Sequence, residues 1–466
     1  MITLDYRSRI PGYYDSIWPV ECGGPRRQKL VAGSGLNCDP GEQFSSTSRN
    51  TGGWAVMLIR RGEGELFLLC GASVNGKIPP IDLSKQSDQD FSKGWVERLD
   101  PTTLEPVATS TKLSSGGFLW CGGLLAHENG DLYLINGNYC YRLSSDLANI
   151  KAEVRLPVNA PYNGLLVFQD GNLITKNLGH ASENICLFSV LSADDLSPIA
   201  ESIEVSEPCM GRFSIDRISS EEEHVYFTTE TTLHRLIYSV KSKTLKLDMD
   251  WSRNYQEPYL QKDSPGKVGM GQTGAWDSSI GGEWICIMDK GRPPPWRDWP
   301  SEENLGVSPQ RLFIFSKSDR QKRIVLSSIN KAYAWNPGPP LYDPERSIFV
   351  YYDSVSGIIE AHYFDQESFK CEFLWRHEFR NTIQMMLFAS TGELVVEDAP
   401  NALTLGSVEE EHKTGRVVVL QIESGLILGS APTHMRSSSG MFLCPGFQRD
   451  FYVASIEGVV TRVFLP

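Results

Sequence analysis

One pattern recurs through nearly the whole chain. A short apolar run is followed by a turn, a β-rich run, a third apolar run, a polar turn and a last amphipathic run. Two stretches show its first half plainly: Gly122-Gly-Leu-Leu-Ala-His-Glu-Asn-Gly-Asp-Leu-Tyr-Leu-Ile-Asn and Asn163-Gly-Leu-Leu-Val-Phe-Gln-Asp-Gly-Asn-Leu-Ile-Thr-Lys. A unit of four short strands cannot bury its apolar faces alone, so copies must pack side by side. Radial packing of such units gives an all-β ring, the β-propeller.

Eight units fit the chain, beginning near residues 52, 117, 163, 210, 273, 341, 383 and 440. The last offers only three strands: Gly440–Cys444, Asp450–Ser455 and Val459–Leu465. A ring must pair its chain ends to avoid an open edge. The missing outer strand is therefore expected from the N-terminus, with Ile2–Arg9 as the candidate. Residues 1–466 then form a single eight-bladed propeller domain, with 1–50 as closing strand and extension. A seven-bladed ring is the alternative. The length of 466 residues would suggest several domains, but closed repeat arrays do not follow that prior.

The turn between third and fourth strands has its own grammar: Leu99-Asp-Pro-Thr-Thr-Leu-Glu-Pro, Leu143-Ser-Ser-Asp-Leu, Phe364-Asp-Gln-Glu-Ser-Phe and Ile422-Glu-Ser-Gly-Leu. Asp, Ser and Gly cap such turns by side-chain hydrogen bonds or by tolerating positive φ. Over roughly residues 52–466 these phrases resemble the blades of the quinoprotein-like and YVTN-type propellers. The resemblance implies a fold superfamily, whose blades serve dehydrogenases, lyases, lactonases and plain scaffolds alike. The quinoprotein dehydrogenases stack their quinone on an adjacent-Cys disulfide. The ten Cys here stand singly, and the Trp-docking motifs are irregular.

Composition narrows the class further. A net charge of −13 argues against a nucleic-acid partner, whose phosphates call for a basic surface. The start, Met1-Ile-Thr-Leu-Asp-Tyr-Arg-Ser-Arg-Ile, carries charge where a signal peptide needs an apolar core, and no run is long enough to span a membrane. Single Cys inside apolar strands, such as Cys186 and Cys286, read as buried thiols of a reducing compartment, hence the cytoplasm.

In a propeller, the loops joining strands two and three and those joining successive blades share one face, where ligands meet the central channel. The first of these are long at Ser73–Ser92, Lys176–Asn184, Asp289–Gln310 and Glu397–Thr414. Elaborated loops on a rigid scaffold commonly carry function. Asp289, Asp353, Glu397 and Asp398 end second strands and follow apolar cores. Burial could poise such acids for proton transfer, while ion pairs to neighbouring Arg are the structural alternative. His180 is the reserve base. Arg212, Arg436 and Lys290 are candidate anchors for an anionic or carbonyl group, and Trp276, Tyr352, Asn163 and Trp296 candidate walls. Trp296 lies in Met288-Asp-Lys-Gly-Arg-Pro-Pro-Pro-Trp-Arg-Asp-Trp-Pro, a stiff arm suited to stacking on a ligand, docking a protein or packing on its own surface.

No set of the eight His suits a metal centre; a calcium ion on Asp289, Asp353 or Asp398 has no spacing argument behind it. Gly33-Ser-Gly-Leu-Asn lacks the helix of a phosphate loop. The expectation is an enzyme acting on a small organic molecule at the channel mouth by acid–base hydrolysis, lyase or cyclisation chemistry, without a cofactor. A propeller scaffold for a protein partner is the rival; quinone-dependent oxidation is the weaker one.

Overall fold

A computed structural model describes residues 9–71, 93–118, 120–178, 185–207, 209, 211–229, 231–255, 277–289, 311–327, 340–353, 357–381, 383–399, 414–435 and 440–466. These residues form eight sheets, each built on four antiparallel strands, two of them with a short fifth strand (Leu30–Val31 and Arg253–Asn254), and no α-helix. No helix among them is long and apolar enough to cross a membrane.

Blade 1 comprises Trp54–Arg60, Leu66–Gly71, Trp95–Leu99 and Pro106–Thr109, and blade 2 comprises Cys121–Ala126, Leu132–Asn136, Tyr139–Leu143 and Ile150–Arg155. Blade 3 runs from Tyr162–Val167 to Ile203–Val205, and blade 4 from Ser214–Arg217 to Thr244–Leu247. Blade 5 runs from Ser278–Gly281 to Arg323–Ser327, and blade 6 from Leu341–Asp343 to Lys370–His377. Blade 7 runs from Met386–Phe388 to Ile427–Pro432. Blade 8 contains Gly440–Pro445, Asp450–Ser455 and Val459–Phe464. The eight-bladed architecture and the blade boundaries read from sequence agree with this arrangement.

The closing strand differs in position. Ser45–Asn50 pairs with Val459–Phe464 as the outer strand of blade 8, from Ser45 opposite Phe464 to Asn50 opposite Val459. The place expected for Ile2–Arg9 is thus taken by a later segment, and residues 2–8 lie outside the described residues. The reason is distance along the chain: Thr51 to Gly53 leads directly from this strand into blade 1, and Thr51 N–H donates to Gly458 O at 2.8 Å. Ser45–Asn50 is polar because only one side of an outer strand packs on the ring, which hides it from a search for apolar runs.

First and second strands are almost wholly buried, whereas outer strands alternate or face water: Leu132–Asn136 is buried throughout, while Ile150–Arg155 is largely exposed. The turn grammar has a physical basis. Leu104, Leu147 and Leu196 occupy the same turn position with φ of 65°, 63° and 63° and are buried. Each anchors a turn in the core despite a left-handed backbone, a conformation that costs about 1–2 kcal/mol for a side-chain-bearing residue. Blade 7 uses Gly425 there. Asp100 Oδ1 holds the first of these turns by accepting N–H bonds from Thr102 and Thr103 at 2.9 and 2.8 Å. Blades pack closely where side chains are absent: a Cβ on Gly122 would lie 2.1 Å from the Tyr162 carbonyl oxygen of blade 3.

Residues 10–42 do more than lead to the closing strand. They run along the innermost strands. The carbonyl oxygens of Trp18, Pro19, Pro25, Arg26 and Lys29 accept N–H bonds from Arg60, Ala126, Ile215, Ile280 and Leu387, in blades 1, 2, 4, 5 and 7. Tyr13 Oη accepts from Val167 N–H of blade 3, Lys29 Nζ donates to Pro340 O before blade 6, and Arg449 Nε of blade 8 donates to Leu36 O. Leu30–Val31 adds a parallel strand to Met386–Phe388. The chain thus plugs its own channel and touches every blade. The partners at the ends of first strands, Arg60, Ala126 and Val167, place its entry on the lower face, where first strands turn into second strands.

Candidate functional site at the channel axis

The plug brings charge to the axis. Arg27 is fully buried. Its Nη1 donates to Glu21, its Nη2 to Asp277 Oδ2 at 2.8 Å and to Gln384 Oε1 at 3.3 Å. Asp277 and Gln384 precede the first strands of blades 5 and 7, so the network lies towards the upper face. The 3₁₀ turn Glu21–Gly23 makes this geometry, with Cys22 at φ 58° and its thiol donating to Gln384 Oε1 at 2.7 Å. Burial pushes Asp277 up, but Arg27, Arg212 and the Arg212 N–H outweigh it and hold the carboxyl below its usual range. Burial brings the Lys29 ammonium down to about 7 and raises the Cys22 thiol to about 11, so neither is charged at little cost.

Arg212, an anchor expected from sequence, belongs to this network. Its backbone N–H donates to Asp277 Oδ1 at 2.7 Å, and its Nε lies 3.0 Å from Glu21 Oε1 without hydrogen-bond alignment. The guanidinium sits over Phe442 at 5.0 Å and Trp120 at 5.8 Å. Trp120 Nε1 donates to Asn163 Oδ1 at 3.1 Å, which brings Asn163 to the same wall. Within this network, Arg27 Nε, Arg212 Nε, Arg212 Nη2 and Glu21 Oε2 are buried without a hydrogen-bond partner among the described residues, as are other atoms elsewhere in the ring.

The acids fall elsewhere on the same face. Asp353 and Tyr352 end the second strand of blade 6, both buried. Glu397 and Asp398 point opposite ways, as strand alternation requires: Glu397 is fully buried, and its N–H donates to Asn381 Oδ1 at 2.8 Å. Asp398 reaches Arg416 at 3.1 Å and accepts from Arg380 N–H at 3.4 Å. Arg380 feels the charges of both Asp398 and Asp353, although burial lowers its own pKa. Asp398 therefore has the ion-paired setting that the sequence left open. Asp289 ends the second strand of blade 5 opposite Arg311. Its side chain, and all of His180, Lys290, Trp276, Trp296 and Arg436, lie outside the described residues, as does most of the four long loops. The structure thus joins Arg212 with Asn163, and Asp353 with Asp398 through Arg380, as two separate groups.

Sequence reading missed Glu21 and Arg27. Their signal was present in Glu21-Cys-Gly-Gly-Pro-Arg-Arg, a turn-rich phrase with charge in a segment otherwise read as an extension. Among the described residues, no three His, Cys, Asp or Glu side chains are grouped to hold a metal ion.

No family model matches the chain, and no curated protein matches it. Solved structures do. The quinohemoprotein alcohol dehydrogenase of Comamonas testosteroni superposes with a TM-score of 0.61 at 10% identity, covering 98% of this chain and 81% of that one. Saccharomyces cerevisiae Sqt1 gives 0.57 at 8% identity, covering 92% and 100%. The Dos1 propeller gives 0.54 at 9%, covering 92% and 95%. At such identities the likeness concerns fold alone, and it bears out the β-propeller read from the repeating strand pattern.

Proposed function

We propose that the protein binds a small polar organic molecule at the upper mouth of its channel, on a floor built by its own N-terminal plug. One observation carries this reading: in one ion-pair network the donors Arg212 Nη2, Arg212 Nε and Arg27 Nε and the acceptor Glu21 Oε2 are buried without a hydrogen-bond partner among the described residues. An unpaired buried polar group costs about 1–3 kcal/mol, and such groups cluster where something else completes the bonding. A ligand offering both an acceptor and a donor, such as a hydroxy acid or an amide, satisfies both. Trp120, Phe442 and Asn163 supply a mixed wall. The acids Asp353, Glu397 and Asp289, in a separate group on the same face, with His180 in reserve, are the residues proposed for proton transfer to such a ligand, in a reaction of the hydrolase, lyase or cyclase type. Asp398, already paired to Arg416, is the weakest of the four acids as a base. No cofactor is assigned. The ten cysteines, all unpaired, support a reducing compartment such as the cytoplasm.

Native mass spectrometry of the purified protein tests the binding. A co-purified small molecule is expected, and Arg212→Gln is expected to lose it while keeping the fold. A bare wild-type mass, with no thermal shift from hydroxy acids or amides, would remove the reading.

A second reading has its own observation. Phe373 (57% exposed) and Leu374 (38%) on the outer strand of blade 6, with Leu426 (51%) and Ile427 (45%) on blade 7, leave apolar area in water beside the Trp375–Gly425 contact. Such a patch suits a protein partner. Concentration-dependent sedimentation with purified candidate partners, abolished by Phe373→Glu with Leu426→Glu, tests it.

A further inference from the structure

We propose a second ligand site on the lower face, a cavity between the plug and blades 3 and 4 that takes a small organic anion anchored by a carboxylate, phosphate or sulfate group. The cavity measures about 460 Å³ and is lined by Arg9, Arg26, Arg217, Gln28, Ser219 and Glu223 over an apolar base of Val167 and Ile215. That volume lies within the range of sites for small organic ligands, about 300–1,000 Å³.

Charge selects the ligand. The protein is acidic overall, at −13, yet cations dominate here. Arg9 and Arg217 are exposed at the rim, and neither has an ion-pair partner within 4.0 Å among the described residues. Deeper in, Arg26 pairs with Asp216, whose other oxygen accepts from Lys317 Nζ at 2.5 Å. One carboxylate thus serves two cations. A cleft with excess charge of one sign and low-dielectric walls concentrates ligands of the other sign.

Glu223 is the remaining acid, and its setting favours the neutral form. It is 4% exposed and faces Arg217 across the strand pair. Its Oε2 accepts from Gln169 N–H at 2.8 Å. Burial is the main cause that raises its carboxyl to about 7, with Asp170 and Asp216 adding and the Gln169 N–H and Arg217 opposing. Tyr13 and Tyr238, the other titratable groups beside it, are themselves raised by burial and stay neutral. Protonated, Glu223 is a donor inside an Arg-rimmed cavity; ionised, it repels an incoming anion. Anion binding is therefore coupled to proton uptake at Glu223, and affinity falls as pH rises through about 7.

The full chain is titrated by calorimetry with sulfate, glutarate and glycerol 3-phosphate, with glycerol as the neutral control. At least one anion is expected to bind with Kd below about 1 mM. Arg9→Gln with Arg217→Gln, both at the exposed rim, should weaken it about tenfold or more, as loss of charge-assisted hydrogen bonds predicts. Sulfate and glutarate keep their charge between about pH 6.5 and 8, so tighter binding at the lower pH reports the protein; this dependence should vanish in Glu223→Gln. The three anions distinguish which anchoring group the site prefers. No heat from any of them overturns the proposal. So does binding that is indifferent to both rim substitutions, which would locate the anion elsewhere, including at Arg212.

Discussion

Replacing Arg27 tests whether the plug holds the ring. Arg27→Met keeps much of the apolar stem and removes the guanidinium. Glu21 and Asp277 then share a single neighbour, Arg212, where two cations had faced two carboxylates. Removing one member of a buried ion pair costs about 3–5 kcal/mol, mostly because the partner stays charged and dry. Arg212 remains close to both acids, so the lower end applies, about 3 kcal/mol. Arg27→Met with Glu21→Gln restores one cation to one carboxylate and should cost only about 1 kcal/mol, about 2 kcal/mol less than Arg27→Met alone. Urea unfolding followed by tryptophan fluorescence reads both. The pH dependence adds a sign. Asp277 has a depressed folded pKa, so its contribution is present above the unfolded carboxyl pKa and is lost as pH falls through the folded value. Without Arg27 that loss should begin at higher pH. Arg27→Met costing under about 1 kcal/mol, or a double variant that costs as much as Arg27→Met alone within about 0.5 kcal/mol, would refute a charge-balanced axis.

Three further outcomes are expected. Glu223→Gln should be more stable than wild type by up to about 3 kcal/mol near pH 8 and equal to it below about pH 4, because a raised carboxyl pKa contributes stability below the unfolded value that is lost as pH rises to about 7; denaturant midpoints across pH check this, and a pH-independent difference would contradict it. Native protein should react slowly with iodoacetamide at all ten thiols, since eight are buried and the half-buried Cys38 and Cys371 are each pushed up to about 12, with burial the first cause; ten additions after denaturation, against few before it, is the mass-spectrometric result expected. Gly122→Ala should destabilise by about 1–3 kcal/mol, as overpacking does, because its Cβ meets the Tyr162 carbonyl; an unchanged melting temperature would show that blades 2 and 3 can part freely.

Blade number, blade boundaries and the third-to-fourth-strand turns were determined by local sequence. Each rests on interactions within a few residues: apolar inner strands, Asp or Ser capping a turn, and a left-handed Leu such as Leu104 or Leu147 buried beside it. The polar ends of second strands were also legible, and strand alternation sends Glu397 and Asp398 opposite ways, with Glu397 the buried one. What those groups meet was not. Asp398 finds Arg416 and Arg380 from neighbouring segments, while Arg212 finds Glu21, 191 residues earlier in the chain. The plug was invisible for the same reason. Its segment has no periodic apolar pattern, since it hydrogen-bonds to a different blade every few residues and buries Arg27 and Lys29 as readily as Trp18. The lower-face cavity likewise exists only because Arg9 and Arg26 of the N-terminal segment line one space with Arg217 and Glu223. Local patterning determines which strands form and how many; only ring closure decides which distant charges share one axis, because that pairing depends on radial position and not on separation along the chain.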